Sequence, residues 1–538
     1  MSQFINNRDD VVTEAIDGIL RGAENLARLD GYPHIKVVVR TDWDKSKVAL
    51  ISGGGSGHEP AHAGFVGRGM LTAAVCGDVF ASPSVEAVLA GTLAVTGPAG
   101  CLLIVKNYTG DRLNFGLAAE RARALGHAVE MVVVDDDIAL PDLPQPRGVA
   151  GTLFVHKVAG ALAEAGADLG TVAAAAERVR AKIASFGMAL TTCMVPGSAR
   201  EDRIANGKAE LGLGIHGEPG VEQVDFAGAR AAMTVVADRL NMHLGTGKHV
   251  ALINNLGGTT PLEMAILSED LSRGPLADRL SHIIGPAPMM TSLDMRGFSV
   301  SVMAVDQDES HLAAAVAPSA WPGMRALGPV PVVAIPDGLS PMSFDASSNS
   351  ARQAMLHRAC HALAAAETDL NALDAKTGDG DTGSTLAVAA RALEAAVDRL
   401  PMADDAQLAR AIAQELGQTM GGSSGVILAI FFAATGDALS QGAPVVTALR
   451  AGLDRVKQVG GAAPGDRTMI DALSPALSEL ENGLSAAAAA ARAGADATAD
   501  ITKAKAGRAA YVAADNLAGN VDPGAEAVAR LFEALAAR

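Results

Sequence analysis

Aromatic side chains are scarce in this chain of 538 residues, at 3%, and positive charge is short as well, with 43 Lys and Arg against 60 Asp and Glu for a net charge of -17. A nucleic-acid partner needs a basic face for the phosphates and aromatic rings for stacking, so both shortages argue against one. A small anionic substrate could still bind locally. Only four cysteines occur, Cys76, Cys101, Cys193 and Cys360, widely scattered and without a CxxC pair. They read as buried free thiols in a reducing compartment rather than a disulfide framework. The N-terminus, MSQFINNRDD, is polar and reads as carrying no secretory signal. The longest uncharged run, 87–105, is interrupted by TGPAG at 96–100, which splits it into a buried helix, a turn and a strand rather than a membrane span. A cytoplasmic location without membrane contact is the expectation.

What the chain does have is core-forming material: 49% apolar and 19% charged residues, enough length for two or three domains, and no sign of disorder. Up to about residue 335, short β-branched runs alternate with Ala-rich helical runs. The strand candidates are KVVV (36–39), KVALIS (47–52), CLLIV (101–105), EMVVV (130–134), HVALI (249–253) and PVVAI (331–335), with helical spacing at 161–186 and 228–240. Continuous apolar strands between helices imply sheets covered on both faces, hence an α/β domain, in two lobes dividing near residue 190. Composition changes at 336–350, PDGLSPMSFDASSNS, which has the look of a linker. From 351 to 538 the strands vanish, and helical periodicity marks 352–366, 384–400, 406–418, 426–439, 444–458, 469–480, 484–492 and 525–536. The Ala-rich run from Ser485 is better read as a packed helix than as disorder.

The motif LDAKTGDGDTGST (373–385) sets Asp374, Asp379 and Asp381 around glycines. Asp and Gly favour turns, so the run reads as a loop that aims several carboxylates at one spot, suited to Mg²⁺ and, through it, to nucleotide phosphates. A solvated acidic turn is the alternative. SGGGSGHEPAHAG (52–64) follows the strand KVALIS and matches neither a Walker loop nor GxGxxG. It is either a phosphate or sugar loop or a tight structural turn, and His58 and His62 just past the glycines tilt it towards a site. In GLGIHGEPG (212–220), His216 sits between glycines with no periodicity to bury it, free to act on a ligand or simply exposed. KNYTGDRLNFG (106–116) places Lys106 and Asp111 at the carboxyl end of a strand, where open α/β sheets bind ligands. MGGSSGV (420–426) opens an apolar helix and offers free amides to phosphate. APGDRTMIDAL (463–473) and GRAAY (507–511) place Arg467 and Arg508 in loops between helices, where caps are the plain reading.

Taken in order, SGGGSGHEPAHAGFVGRGMLTAAVCGDVFASPS, KNYTGDRLNFG, GIHGEPG and INNLGGTTPLEM, then LDAKTGDGDTGST, MGGSSG, GDRTMIDAL and GRAAY, resemble the signatures of the dihydroxyacetone kinase family in its single-chain form. That form joins a substrate-binding K domain (here 1–335) to a nucleotide-binding L domain (351–538). The resemblance implies an L domain that is a barrel of eight antiparallel helices and a homodimer formed through K domains. It implies that His216 is a covalent anchor whose imidazole adds to the ketone carbon as a hemiaminal, so that glycerol, which has no carbonyl, is rejected. It further implies substrate contacts at Gly55 and Ser82, Asp111 as the base for the attacking hydroxyl, His58 as a hydrogen-bonding partner in acid or base transfer, and Lys106 beside them. Asp374, Asp379 and Asp381 match the magnesium ligands, expected to hold two ions, and Thr382, Thr385, Gly421, Gly422, Ser423, Ser424, Thr468, Met469 and Arg508 match nucleotide contacts.

The implied reaction is in-line transfer of the γ-phosphoryl group of ATP to a small ketose, dihydroxyacetone first. Thr382 stands where many relatives carry His, which removes any role that needs imidazole there. Two alternatives share the scaffold: a kinase of erythrulose, another four-carbon ketose or glyceraldehyde, and a lyase that cyclises FAD through the metal site alone. A non-catalytic co-regulator would have lost Asp111, His216 or the aspartates, all of which are present.

Overall fold

The structure, a computed structural model, describes residues 3–140, 145–337, 339 and 341–537, with the backbone alone at 422–424 and 508. The chain forms two compact units, Met1–Pro331 and Val332–Arg538.

The first unit holds two sheets. The first contains β1 (Leu26–Arg28), β2 (Val37–Arg40), β3 (Ala49–Ser56), β4 (Ala73–Val79), β5 (Cys101–Lys106) and β6 (Val129–Val134), in the order β1-β2-β4-β3-β5-β6. Strands β4, β3, β5 and β6 run parallel, and β2 and β1 are added antiparallel at one edge. The apolar runs of β3 and β5 are buried along their whole length because helices cover both faces. Each buried Leu, Ile or Val there contributes about 1.5–3 kcal/mol. The second sheet contains β7 (Ile183–Ala189), β8 (Lys208–Leu211), β9 (Glu222–Asp225), β10 (His249–Asn255), β11 (Leu280–Ala287), β12 (Gly297–Ala304) and β13 (Met324–Ala326), ordered β13-β11-β10-β12-β7-β8-β9. Only β10 and β11 pair in parallel within it.

The second unit is helical. Ser350–Ala365, Thr382–Ala396, Asp405–Thr419, Gly422–Ser440, Val445–Gly460, Ile470–Glu479, Leu484–Ala497 and Pro523–Ala536 each pack on the next, and the last packs back on the first, closing a ring of eight. Small side chains permit the close approach: Ala487, Ala488, Ala491 and Ala495 of the Ala-rich helix are buried against the ring. Reversal of the chain between successive neighbours brings the N-termini of the helices that begin at Thr382, Gly422, Ile470 and Pro523 to one end.

Three expectations fail. The run 331–335 is exposed coil, with Val332 and Val333 89% and 88% accessible, because Pro329, Pro331 and Pro336 lack the N–H groups a ladder needs. The helical stretch 161–186 is instead two helices, Thr152–Glu164 and Leu169–Arg180, split at Gly166 (φ 86°) and capped by Asp168, and it then runs into β7. The aspartate motif is largely helical too. Asp374 lies in the last turn of Glu367–Thr377, a helix whose buried face includes the polar Asp374 and Thr377 beside Leu370 and so leaves little apolar periodicity to read.

Candidate functional site

Strand β3 is followed by β4 on one side of it and β5 by β6 on the other, so the carboxyl ends of the adjacent β3 and β5 form the crevice where open sheets bind ligands. The glycine loop after β3 carries His58, and β5 ends on Lys106. The helix Thr109–Ala124 begins just beyond, with Asp111 in its first turn. Lys106 and Asp111 are 0% and 2% exposed. A Cβ on Gly54 would stand 3.3 Å from Lys106 Nζ and 3.5 Å from Asp111 Oδ2, so only glycine leaves that corner open. One on Gly55 would lie 2.8 Å from the backbone nitrogen of Ala81, and one on Gly110 would lie 2.7 Å from Ser82 Oγ, which puts Ser82 against the start of the helix that bears Asp111.

The loop 212–220 supplies His216, which is brought to His58 with ring centroids 4.8 Å apart in a T-shaped pair. Glu218 accepts hydrogen bonds from His216 Nδ1 at 3.2 Å and from its backbone N–H at 2.9 Å. Burial works to raise the Glu218 pKa, but the bond to His216 and that residue's charge outweigh it and bring it to about 2. A carboxylate only accepts, so in the neutral ring Nδ1 carries the proton and Nε2 holds the lone pair. The loop is pinned at its start: Arg147, paired with the buried Asp137 at 2.7 Å, donates to the Gly212 carbonyl at 2.7 Å.

His58 is oriented by the Thr291 carbonyl, which accepts from Nδ1 at 2.8 Å, leaving Nε2 as its base nitrogen. Burial, with Lys106 and His216 nearby, holds its pKa well below the usual imidazole range, so it is neutral. Burial lowers the Lys106 pKa against the attraction of Asp111, Glu218, Asp136 and Glu59. His58 Nε2, Lys106 Nζ, Asp111 Oδ1 and Tyr108 Oη are all buried without a partner. Each such atom costs about 1–3 kcal/mol unless a ligand or water engages it, and together they outline a polar acceptor site.

His62 does not join this group. It is buried against His156, ring centroids 5.3 Å apart, although its place in the glycine loop pointed towards the site. Sequence reasoning missed Glu218, Tyr108 and Phe80. Tyr108 meets His216 edge-on at 4.4 Å and Phe80 does so at 5.3 Å. Glu218 lies only two residues from His216, the one signal available.

In the helical unit, Asp374, Asp379 and Asp381 bring one oxygen each within 4.8 Å of one another. Asp374 is fixed by the backbone N–H groups of Gly380, Asp381 and Thr382, which donate to its Oδ2 at 3.0–3.1 Å. Three converging carboxylates, one of them buried and held by the backbone, fit a hard divalent cation such as Mg²⁺. Thr382 and Thr385 begin the following helix, and Gly421 caps the helix Gly422–Ser440, whose first-turn amides have no intrahelical partners. The side-chain expectations at Ser423, Ser424 and Arg508, and the surroundings of Gly422, lie outside the described residues.

Met469 caps the helix Ile470–Glu479, while the N–H of Thr468 is taken by Asp471 at 2.8 Å and its hydroxyl accepts from Ile470 at 3.2 Å. The loop 465–469 is tied to the segment before the last helix: Asp466 pairs with Lys505 at 3.1 Å, and Arg467 donates to the Asn520 carbonyl at 2.7 Å. Thr382, Gly421 and Met469 thus each stand at the N-terminus of a ring helix, a setting that favours phosphate.

Comparison with known proteins gives a match to the Dak1 domain over residues 17–320 and to the DAK2 domain over residues 376–537. The dihydroxyacetone kinase of Citrobacter freundii is 50% identical over 547 residues, 100% of this chain and 99% of that one. Its crystal structure in complex with AMP-PNP and Mg²⁺ superposes with a TM-score of 0.71 at 48% identity, covering 99% of both chains. A putative 3,4-dihydroxy-2-butanone kinase of Solanum lycopersicum is 45% identical over 99% of this chain and 97% of its own length. The human triokinase/FMN cyclase is 39% identical over 99% of this chain and 98% of its own.

Proposed function

The chain belongs to the dihydroxyacetone kinase family, in the form that joins both domains in one polypeptide, and from that premise we propose that it phosphorylates dihydroxyacetone with ATP. The observation that carries this reading is the set of unpartnered polar atoms, His58 Nε2, Lys106 Nζ and Asp111 Oδ1, gathered beside the lone pair that Glu218 leaves on His216 Nε2.

In the proposed mechanism His216 Nε2 attacks the ketone carbon. A C–N bond forms and the carbonyl π electrons move to oxygen. That oxygen takes up one proton from solvent while Nδ1 yields its own through Glu218 back to solvent, so the hemiaminal is neutral and the proton count is unchanged. His58, neutral and held by Thr291, hydrogen-bonds the captured ketose and helps move its protons. Asp111 accepts the proton of the primary hydroxyl as that oxygen attacks the γ-phosphorus and ADP leaves. Lys106 offsets the negative charge gathered beside Asp111. Asp374, Asp379 and Asp381 would hold Mg²⁺, two ions in the full reading, with Thr382, Thr385, Gly421, Gly422, Ser423, Ser424, Thr468, Met469 and Arg508 around the nucleotide. When bound, the metal neutralises phosphate charge and aligns the γ-phosphoryl group. K and L roles for the two units, a homodimer and a cytoplasmic setting complete the reading.

The relatives keep two extensions in view: the name of the tomato protein favours a four-carbon ketone, and that of the human protein a cyclase activity needing only the aspartate site. The test is an ATP-coupled assay of the full chain with dihydroxyacetone, glyceraldehyde, erythrulose and glycerol. Turnover of dihydroxyacetone and none of glycerol is expected. Glycerol turned over as fast as dihydroxyacetone would refute selection by a covalent tether.

A further inference from the structure

Two bulky residues beside His58 and His216 hold backbone conformations that side chains of their kind rarely adopt: Phe80 at φ 58° and Leu293 at φ 53°. Each such residue stores about 1–3 kcal/mol of strain and persists only where its surroundings dictate it. Here the glycine loop dictates both. Phe80 N–H donates to the Ser56 carbonyl at 2.9 Å, and Leu293 N–H donates to the Gly57 carbonyl at 2.8 Å. Their side chains close over Gly57, where a Cβ would stand 2.9 Å from Phe80 Cε1 and 3.2 Å from Leu293 Cδ2. The Phe80 ring stacks on His58 at 5.3 Å and meets His216 edge-on at 5.3 Å. Phe80 and Leu293 are both half-buried and flank Gly57, while Lys106 and Asp111, the groups suited to the reacting hydroxyl, are buried beside Gly54. Leu293 comes from the β11–β12 connection, so the wall joins both lobes of the first unit.

We propose that Phe80 and Leu293 form a rigid wall that sets the length of ketose the His216 site accepts, restricting it to three carbons. The proposal rests on the kinase reading above. Rigidity matters because a wall that could shift would merely accommodate a longer chain. Locked to the glycine loop from both sides, it must clash with an added hydroxymethyl group.

The experiment uses the full chain and its Phe80→Leu and Leu293→Ala variants, comparing dihydroxyacetone with erythrulose by kcat/KM and by calorimetric binding without ATP. Trimming either residue should shift the preference towards erythrulose by about tenfold, the size expected for one carbon in an apolar pocket, and chiefly through KM. If both ketoses weaken in parallel, with their ratio moved by less than about twofold, Phe80 and Leu293 only orient the imidazoles and the proposal is overturned. Binding without turnover in the parent chain would reject the kinase reading, yet the binding ratio would still decide for or against the wall. Should Phe80→Leu fail to fold, Leu293→Ala, which leaves the stacked ring in place, reads the same ratio with the same two outcomes.

Discussion

Replacing Glu218 by Gln removes a single negative charge from the His216 loop and keeps the shape of the side chain. In the parent the carboxylate takes two hydrogen bonds from His216, at 3.2 Å and 2.9 Å, and its side chain is 36% exposed. Hydrogen bonds to a charged oxygen are worth about 1.5–3 kcal/mol each when buried. Solvent screening of a side chain this exposed, and the acceptor that Gln retains, reduce the expected loss to about 1.5 kcal/mol. At 1.4 kcal/mol per factor of ten, ketose affinity should fall about tenfold. The amide also weakens the tautomer: when its NH2 faces Nδ1, that nitrogen gives up its proton and Nε2 loses the lone pair that attacks the ketone. Calorimetry with dihydroxyacetone and, separately, with Mg-ATP reads the effect. Unchanged ketose affinity, or a loss confined to Mg-ATP, would refute the reasoning. Stability should respond to pH with a definite sign. The folded-state pKa of about 2 lies below the ordinary 4.5. The carboxylate therefore stabilises the fold in full above about pH 4.5, and the contribution fades as pH falls towards 2. The difference in unfolding free energy between parent and Glu218→Gln should shrink as pH falls from about 4.5 towards 2.

The remaining predictions separate the two halves of the reaction. His216→Ala should lower ketose turnover by more than about 100-fold while leaving Mg-ATP affinity intact; full turnover at saturating ketose would remove the tether from the mechanism. Asp379→Ala should raise the Mg²⁺ concentration needed for half-maximal activity by at least about tenfold and leave ketose binding unchanged, read by metal titration of the steady-state rate and by calorimetry.

Much of this was legible in the order of residues. The buried strands β3, β5 and β10 announce themselves as apolar runs, and the ring helices Thr382–Ala396, Asp405–Thr419, Val445–Gly460, Ile470–Glu479, Leu484–Ala497 and Pro523–Ala536 carry a readable 3.6-residue period. Other elements were hidden for identifiable reasons. Strand β4, AAVCGDV, is too poor in large β-branched residues to stand out, and Glu367–Thr377 hides because the face it buries includes an aspartate and a threonine. The run 331–335 misleads in the opposite sense: its side chains suit a strand while the prolines around it deny the hydrogen bonds.

The motifs alone determined which chemistries were available: carboxylates for a hard cation, glycine loops for close backbone approach, and a glycine-flanked imidazole. These follow from residue type and spacing, which are properties of the chain. Which imidazole does what was decided by tertiary structure. His58 and His62 stand four residues apart in one loop, yet only His58 reaches His216, because Thr291 from the other lobe holds its Nδ1, while His62 turns into the core against His156. The same holds for the pairing of His216 with Tyr108 and Phe80. Contacts between residues more than a hundred positions apart depend on how sheets and loops pack, and no local spacing records that.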